Sequence, residues 1–242
     1  MPVALITGAS LGLGRALATE LAQRGWSLVV DSRRADLLDD FVAGLDTVSV
    51  IALPGDVADP DHRRQLREVV ARMGRLDLLV NNASTLGASP LPHLVDHPLD
   101  QLSAVYEVDV LAPIAMIQLL RPFLTAGGCI VNISSDAGVE AYEGWGGYGS
   151  AKAALDQASA VLAVEEPALE VYAFDPGDMR TAMHQAAFPG DDISDRPAPE
   201  SVVPALMALI DGRPVSGRYR AHDLLATMRP ADSGTLATEA TS

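Results

Sequence analysis

Short, almost wholly apolar runs alternate with helix-length segments along most of this chain, and that alternation most constrains its fold. VALIT (3–7), SLVVD (27–31), TVSVIAL (47–53), LDLLVNNA (76–83), GCIVNIS (128–134) and LEVYAFD (169–175) read as strands. Between and after them come segments with apolar residues at helical spacing. These are GRALATELAQRG (14–25), residues 35–44, a stretch opening at Asp59-Pro60-Asp61, a long stretch from about 99 to 125, YGSAKAALDQASAVLAV (148–164) and PESVVPALMALIDG (199–212). Strands apolar on both faces require helices above and below the sheet. Repeated β-α-β units with right-handed crossovers then give an α/β fold with a doubly wound parallel sheet.

No linker or internal repeat divides the 242 residues, so residues 1–228 are expected to form one domain. The polar tail RPADSGTLATEATS (229–242) is expected to be disordered. A chain that is 48% hydrophobic and 20% charged can bury a sizeable core. No apolar run is expected to reach the roughly 18 residues needed to span a bilayer. The amino terminus, MPVALITGAS, lacks the basic region of a secretory signal. One cysteine, Cys129, cannot form an intrachain disulfide, which fits a reducing cytoplasm. The net charge of −15 argues against nucleic acid or an anionic membrane as partner.

The first strand runs into T-G-A-S-L-G-L-G, Thr7 to Gly14, directly before a helix. Backbone amides at a helix N-terminus can hold a diphosphate. In that reading Gly8 permits the tight turn, Gly12 removes a Cβ where phosphate approaches, and Gly14 lets the helix pack on the strand. A glycine turn without any ligand is the plainer alternative.

A second signal is the chain's single lysine, Lys152; every other member of the 17 lysine-plus-arginine total is arginine. Lys152 stands at i+4 from Tyr148, so the two share a helix face. A phenol with a pKa near ~10 is a poor acid or base at neutral pH. A neighbouring ammonium favours phenolate and is expected to lower that value. A surface Tyr/Lys pair would show the same spacing. Upstream, Ser135 ends the strand GCIVNIS, and strand C-termini line the ligand crevice of a doubly wound sheet.

Taken together these motifs resemble the short-chain dehydrogenase/reductase family. The match runs from Thr7 to about Thr181. It includes T-G-x-x-x-G-x-G at 7–14, Asp56-Val57, Asn81-Asn82-Ala83, Ser135, Y-x-x-x-K at 148–152, and Pro176-Gly177 followed by Thr181. The resemblance implies a Rossmann-like domain and hydride transfer between a nicotinamide and a carbinol carbon. It implies that Tyr148 protonates the carbonyl oxygen or deprotonates the alcohol, that Ser135 hydrogen-bonds that oxygen, and that Lys152 lowers the tyrosine pKa and binds the nicotinamide ribose. Arginine, with its planar fork, would be a poor substitute for that lysine. A catalytically silent dinucleotide-binding sensor is the alternative from another class.

The resemblance also assigns a cofactor set: Gly8, Ser10, Leu11, Gly12, Leu13, Gly14, Ser32, Arg33, Asp56, Val57, Asn82, Ala83, Tyr148, Lys152, Pro176, Gly177 and Thr181. Asp56 would meet the adenine, or simply cap a turn. Thr181 would reach the carboxamide, or cap the next helix. After the second strand, the usual acid position falls at Ser32, followed by Arg33. A hydroxyl and a cation suit a 2′-phosphate, so NADP(H) is favoured over NAD(H). Asp31, one residue earlier, would favour NAD(H) if the register slipped, and Arg33 with Arg34 would otherwise be a solvated turn. Three positions depart from the family: Asp109 replaces the usual asparagine, Ser84 replaces a glycine, and a C-terminal glycine pair is missing. An ionised aspartate accepts hydrogen bonds but cannot donate them, and its charge would offset that of Lys152.

In the family, substrate lies between the segment before the tyrosine and the loop at about 178–198. Here those carry Tyr142, Trp145, Met179, Met183 and Phe188, which implies a mainly apolar alcohol or ketone. His93 and His97 lie among prolines, so no metal site is expected. The segments VLAPIAMIQLL (110–120) and AALDQASAVLAV (153–164) contain only one charge, Asp156. They are apolar nearly all round, and the resemblance implies that another subunit covers them in a homodimer or homotetramer.

Overall fold

The computed structural model describes residues 1–45 and 49–228. Seven parallel strands form one sheet: β1 (Val3–Ile6), β2 (Ser27–Ser32), β3 (Val50–Pro54), β4 (Leu76–Asn81), β5 (Leu124–Ile133), β6 (Glu170–Asp175) and β7 (Gly217–Arg220). Their order across the sheet is β3-β2-β1-β4-β5-β6-β7. The chain therefore moves outward from β1, then returns to pair β4 against it, and the crevice of such a sheet opens at that reversal. This is the doubly wound parallel sheet that the alternation of runs implies, and the Rossmann-like domain that the family resemblance implies.

Helices α1 (Gly12–Gln23), α2 (Ala35–Ala43), α3 (Pro60–Met73), α4 (Leu99–Tyr106), α5 (Ala112–Leu120), α6 (Gly146–Glu165), α7 (Ala182–Ala187), α8 (Val203–Gly212) and α9 (Ala221–Met228) cover the sheet. Alternate strand residues feed two cores, as a period of two requires. Ala4, Ile6, Leu28, Val30, Leu78 and Val80 pack with α1 and α8. Val3, Leu5, Val29, Leu79, Ile130 and Val171 pack with α3 and α5. Asp59 caps α3, its carboxylate accepting from the Asp61 amide at 2.9 Å, with Pro60 in the first turn.

Several boundaries differ from the sequence expectation. β7 was not expected: GRYR is polar and half-buried, as an edge strand allows, so it carries no apolar run. The strand expected at 47–53 lies partly outside the described residues, and β3 begins at Val50. The disorder expected for 229–242 also lies outside the described residues. The long helical stretch is continuous over Leu99–Phe123 but contains a π turn at Glu107–Leu111. That stretch is long and apolar enough to cross a membrane by length and composition, contrary to the sequence expectation that no apolar run is. In the fold it is a core helix: Met116, Ile117 and Leu120 pack against the sheet.

Candidate active site

The glycine loop is held from three sides. Gly8 has a φ of +68°, and a Cβ there would lie 2.9 Å from the Ala83 Cα, so only glycine fits. The Thr7 hydroxyl accepts from the amides of Asn82 and Ala83, both at 3.0 Å. The Asn82 side chain donates back to the Thr7 and Gly8 carbonyls at 2.9 and 3.1 Å. The Gly8 amide donates to Asp31 Oδ1 at 2.8 Å, and Asp31 Oδ2 meets His62 Nε2 at 3.1 Å. Burial pushes the Asp31 carboxyl above its ordinary value, against the pull of His62 and the Gly8 amide. Both Asp31 oxygens thus brace the scaffold, while Asp31 itself stays on the cleft wall.

Gly14 has the packing role read from the sequence but, unlike the other loop glycines, does not line the cleft. A Cβ at Gly14 would stand 2.5 Å from the Asn82 amide nitrogen and 2.6 Å from the Gly8 carbonyl oxygen. Gly14 lies behind the loop, where it allows α1 to approach β1, and does not border the cleft. The start of α1 has no side-chain cap. Its first amides are orphan donors at the positive end of the helix, a cradle suited to a diphosphate. Ser10 and Ser32 share a hydrogen bond of 2.7 Å beside it. Arg33 is exposed and makes no ion pair among the described residues, whereas Arg34 pairs with Asp36 at 3.4 Å. Asp56 accepts from the Ala58 amide at 2.9 Å, the turn-capping role.

Across the cleft, the C-terminal ends of β4, β5 and β6 meet the start of α6. Tyr148 is 8% exposed, with Trp145 edge-on at 5.6 Å. Lys152 Nζ lies 5.3 Å from the Tyr148 ring centroid. That ammonium donates to the Ile133 carbonyl and pairs with Asp109, each at 2.9 Å. Asp109 also accepts from the Thr85 amide at 3.1 Å and from the Ser84 hydroxyl. Burial drags on the Lys152 ammonium, but Asp109, with Tyr148 and Asp156 behind it, outweighs that drag and raises the lysine above its ordinary value. Tyr148 goes the other way from expectation. Burial holds the phenol above its ordinary value; Lys152 pulls it down, and Asp109 counters that pull. The hydroxyls of Ser84 and Ser135 face the phenol and favour phenolate. Ser135 itself donates to Asp136 Oδ1 at 2.9 Å.

Arg218 of β7, which sequence reasoning missed with its strand, joins two walls of this end. It donates to the Ser135 carbonyl and to Asp175 Oδ2, each at 3.0 Å, and to Asp156 at 2.9 Å. Asp175 Oδ1 accepts from the Gly177 amide at 3.0 Å. The loops carrying Ser135 and Pro176-Gly177 are thereby fixed to each other. No local signal marks this arginine, because its partners come from three other elements.

One cleft of about 650 Å³ runs between the two ends. It is lined by Gly8, Ser10, Leu11, Gly12, Leu13, Ser32, Arg33, Asp56, Val57, Asn82 and Ala83 at the glycine-loop end. Ser135, Tyr148, Lys152, Pro176, Gly177 and Thr181 line the opposite end, with Tyr142, Trp145, Met179, Met183 and Phe188 around the mouth. Thr181 also caps α7, accepting from the His184 amide at 3.2 Å. Of the catalytic, cofactor and substrate residues assigned from the sequence, Gly14 and Asp109 do not reach the cleft wall, whereas Asp31, the alternative acid, does. Ser84, named from the sequence only as a departure, does reach it.

The family model for the short chain dehydrogenase matches residues 2–192. Sepiapterin reductase of Rattus norvegicus is 32% identical over 201 residues, covering 76% of this chain and 77% of that protein. An uncharacterized oxidoreductase of Mycobacterium tuberculosis is 30% identical over 200 residues, covering 79% and 74%. Among solved structures, a short chain dehydrogenase of Shigella flexneri complexed with NADP matches with a TM-score of 0.84 at 26% identity, over 91% of this chain and 97% of that one. One of Escherichia coli complexed with NADPH matches with a TM-score of 0.83 at 27% identity, over 91% and 96%. The chain belongs to the short-chain dehydrogenase family of NAD(P)-dependent oxidoreductases.

Proposed function

We propose that this protein transfers hydride between NADP(H) and the carbinol carbon of a mainly apolar secondary alcohol or ketone. The observation that carries the proposal is the meeting of Ser135, Tyr148 and Lys152 in the same cleft as the uncapped amides of α1. The bound nicotinamide supplies or accepts the hydride. Tyr148 gives its proton to the carbonyl oxygen in reduction and takes it from the hydroxyl in oxidation. Ser135 hydrogen-bonds the same oxygen, which requires its hydroxyl to leave Asp136. Lys152 has three N–H donors; Asp109 and the Ile133 carbonyl use two, and the third serves the ribose hydroxyls.

Preference for NADP(H) rests on Ser32 and on Arg33, which has no ion-pair partner among the described residues, and on the engagement of both Asp31 oxygens with Gly8 and His62. Two relatives of this fold are complexed with NADP or NADPH, in keeping with that preference. The aromatic and thioether mouth favours an apolar substrate. The π turn leading into α5 leaves Leu111 51% exposed and α6 leaves Val164 81% exposed, and a second copy of the chain is the cover we infer for them. Cys129 is buried, with its thiol pushed up to about 12, so it is inert to redox partners. That lone cysteine fits a cytoplasmic enzyme.

The test is a carbonyl panel with NADPH and NADH. Turnover is expected with NADPH, and Tyr148→Phe should lower it roughly 10²–10⁴-fold while NADPH still quenches protein fluorescence. Arg33→Ala should weaken NADPH about tenfold and leave NADH unchanged. The silent-sensor reading gains its support from the offset of Lys152 by Asp109. It would be upheld if NADPH bound and no carbonyl turned over.

A further inference from the structure

Asp109 is fully buried, yet it does not touch the cleft. It sits in the π turn at Glu107–Leu111, a helical irregularity often found where function needs a side chain re-aimed. Its carboxylate collects three donors from three places: Lys152 Nζ on α6, the Thr85 amide, and the hydroxyl of Ser84 after β4. Lys152 is only 2% exposed. A carboxylate and an ammonium 2.9 Å apart out of water form a pair of zero net charge, and the field of such a pair falls off faster than that of either ion.

We propose that Asp109, braced by Ser84, is a positioning residue that holds Lys152 against the carboxyl end of β5 and cancels its charge at the Tyr148 phenol. The acid–base group then works beside a neutral ion pair and not beside a lone ammonium. This rests on the proposed role of Tyr148 as the proton-transfer group.

The groups facing the phenol are few. Lys152 comes from α6, Asp109 from the π turn, Ser84 from the segment after β4, and Ser135, bonded to Asp136, from the segment after β5. Asp156, further along α6, acts on Lys152 but is itself paired with Arg218. Arg218 is also paired with Asp175. Removing the negative charge of Asp109 makes the next proton easier to lose, whether Tyr148 or Lys152 gives it up. The single Ser84 hydroxyl proton goes to Asp109; removing it leaves the carboxylate charge less dispersed, so Asp109 bears more fully on the phenol and moves it in the opposite direction.

The experiment is a pH titration of phenolate absorbance, taken as the difference between each protein and its Tyr148→Phe counterpart. It is run on the wild type, Asp109→Asn and Ser84→Ala, with thermal unfolding of each. Asp109→Asn should show phenolate about one to two pH units lower than wild type, with the pH limb of turnover following it. Ser84→Ala should show it at higher pH. A folded Asp109→Asn protein with an unchanged or raised phenolate titration overturns the proposal. If Asp109→Asn does not fold, Ser84→Ala decides: an upward shift supports the proposal and no shift overturns it. Full turnover by Tyr148→Phe would instead refute the proposed role of Tyr148, a result separate from the titration.

Discussion

Under the glycine-loop end of the cleft, Asp31 meets His62 at 3.1 Å; under the opposite end, Asp109 meets Lys152 at 2.9 Å. All four side chains are almost completely buried. Asp31 gives its other oxygen to a backbone amide, so that pair fixes the path of the loop. Asp109 is paired with a side chain that lines the cleft, so that pair fixes a charge. The same device, a carboxylate out of water, serves backbone geometry at one end and electrostatics at the other. The partners differ as well. An imidazole can meet a carboxylate as a neutral donor, whereas a lysine that raises its pKa beside Asp109 is there as the cation.

The largest effect should therefore come from breaking the second pair. Lys152→Met strands the Asp109 charge in the core and is expected to cost about 3–5 kcal/mol in denaturant unfolding. Adding Asp109→Leu to it should recover most of that stability while turnover stays lost. His62→Ala leaves Asp31 its Gly8 amide and should cost less, about 1–3 kcal/mol. Equal losses at the two sites would erase the distinction drawn between them.

A third carboxylate gives the smallest effect. Asp77, at the start of β4, accepts from the Val3 amide at 2.8 Å and from Arg75. Burial pushes its carboxyl up, but Arg75 and the amide prevail and hold it below its ordinary value. Its stabilisation is thus present above the ordinary carboxylate pKa and is lost as pH falls through the lowered one. Asp77→Asn should lower the melting temperature slightly at neutral pH, with the difference vanishing at acid pH, so that the acid side of the profile is flatter. A large change at neutral pH would mean that Asp77 is a buried anchor of the same kind as the other two.

The glycine loop and the Tyr148–Lys152 step were legible in the sequence because each is local. A turn between strand and helix needs glycine at Gly8, and residues at i and i+4 share a helix face whatever surrounds them. Arg218 was not legible, since it lies on a polar edge strand with partners on three other elements. Nor did spacing pair Ser84 with Asp109. Both were visible only as departures from the family, and the contact between them appears once the helix and the end of β4 are packed.

The sequence alone determined the alternation of strands and helices, the parallel sheet and the edge where the cleft opens, because periodicity and turn chemistry act over a few residues. Tertiary structure decided which buried charges meet. It tied Asp31 to the Gly8 amide and His62, set Asp109 against Lys152, and raised the Tyr148 phenol where a neighbouring ammonium alone would have lowered it. A side chain's pKa depends on how much water is excluded and on which charges lie within a few ångströms, and neither is fixed until distant segments pack.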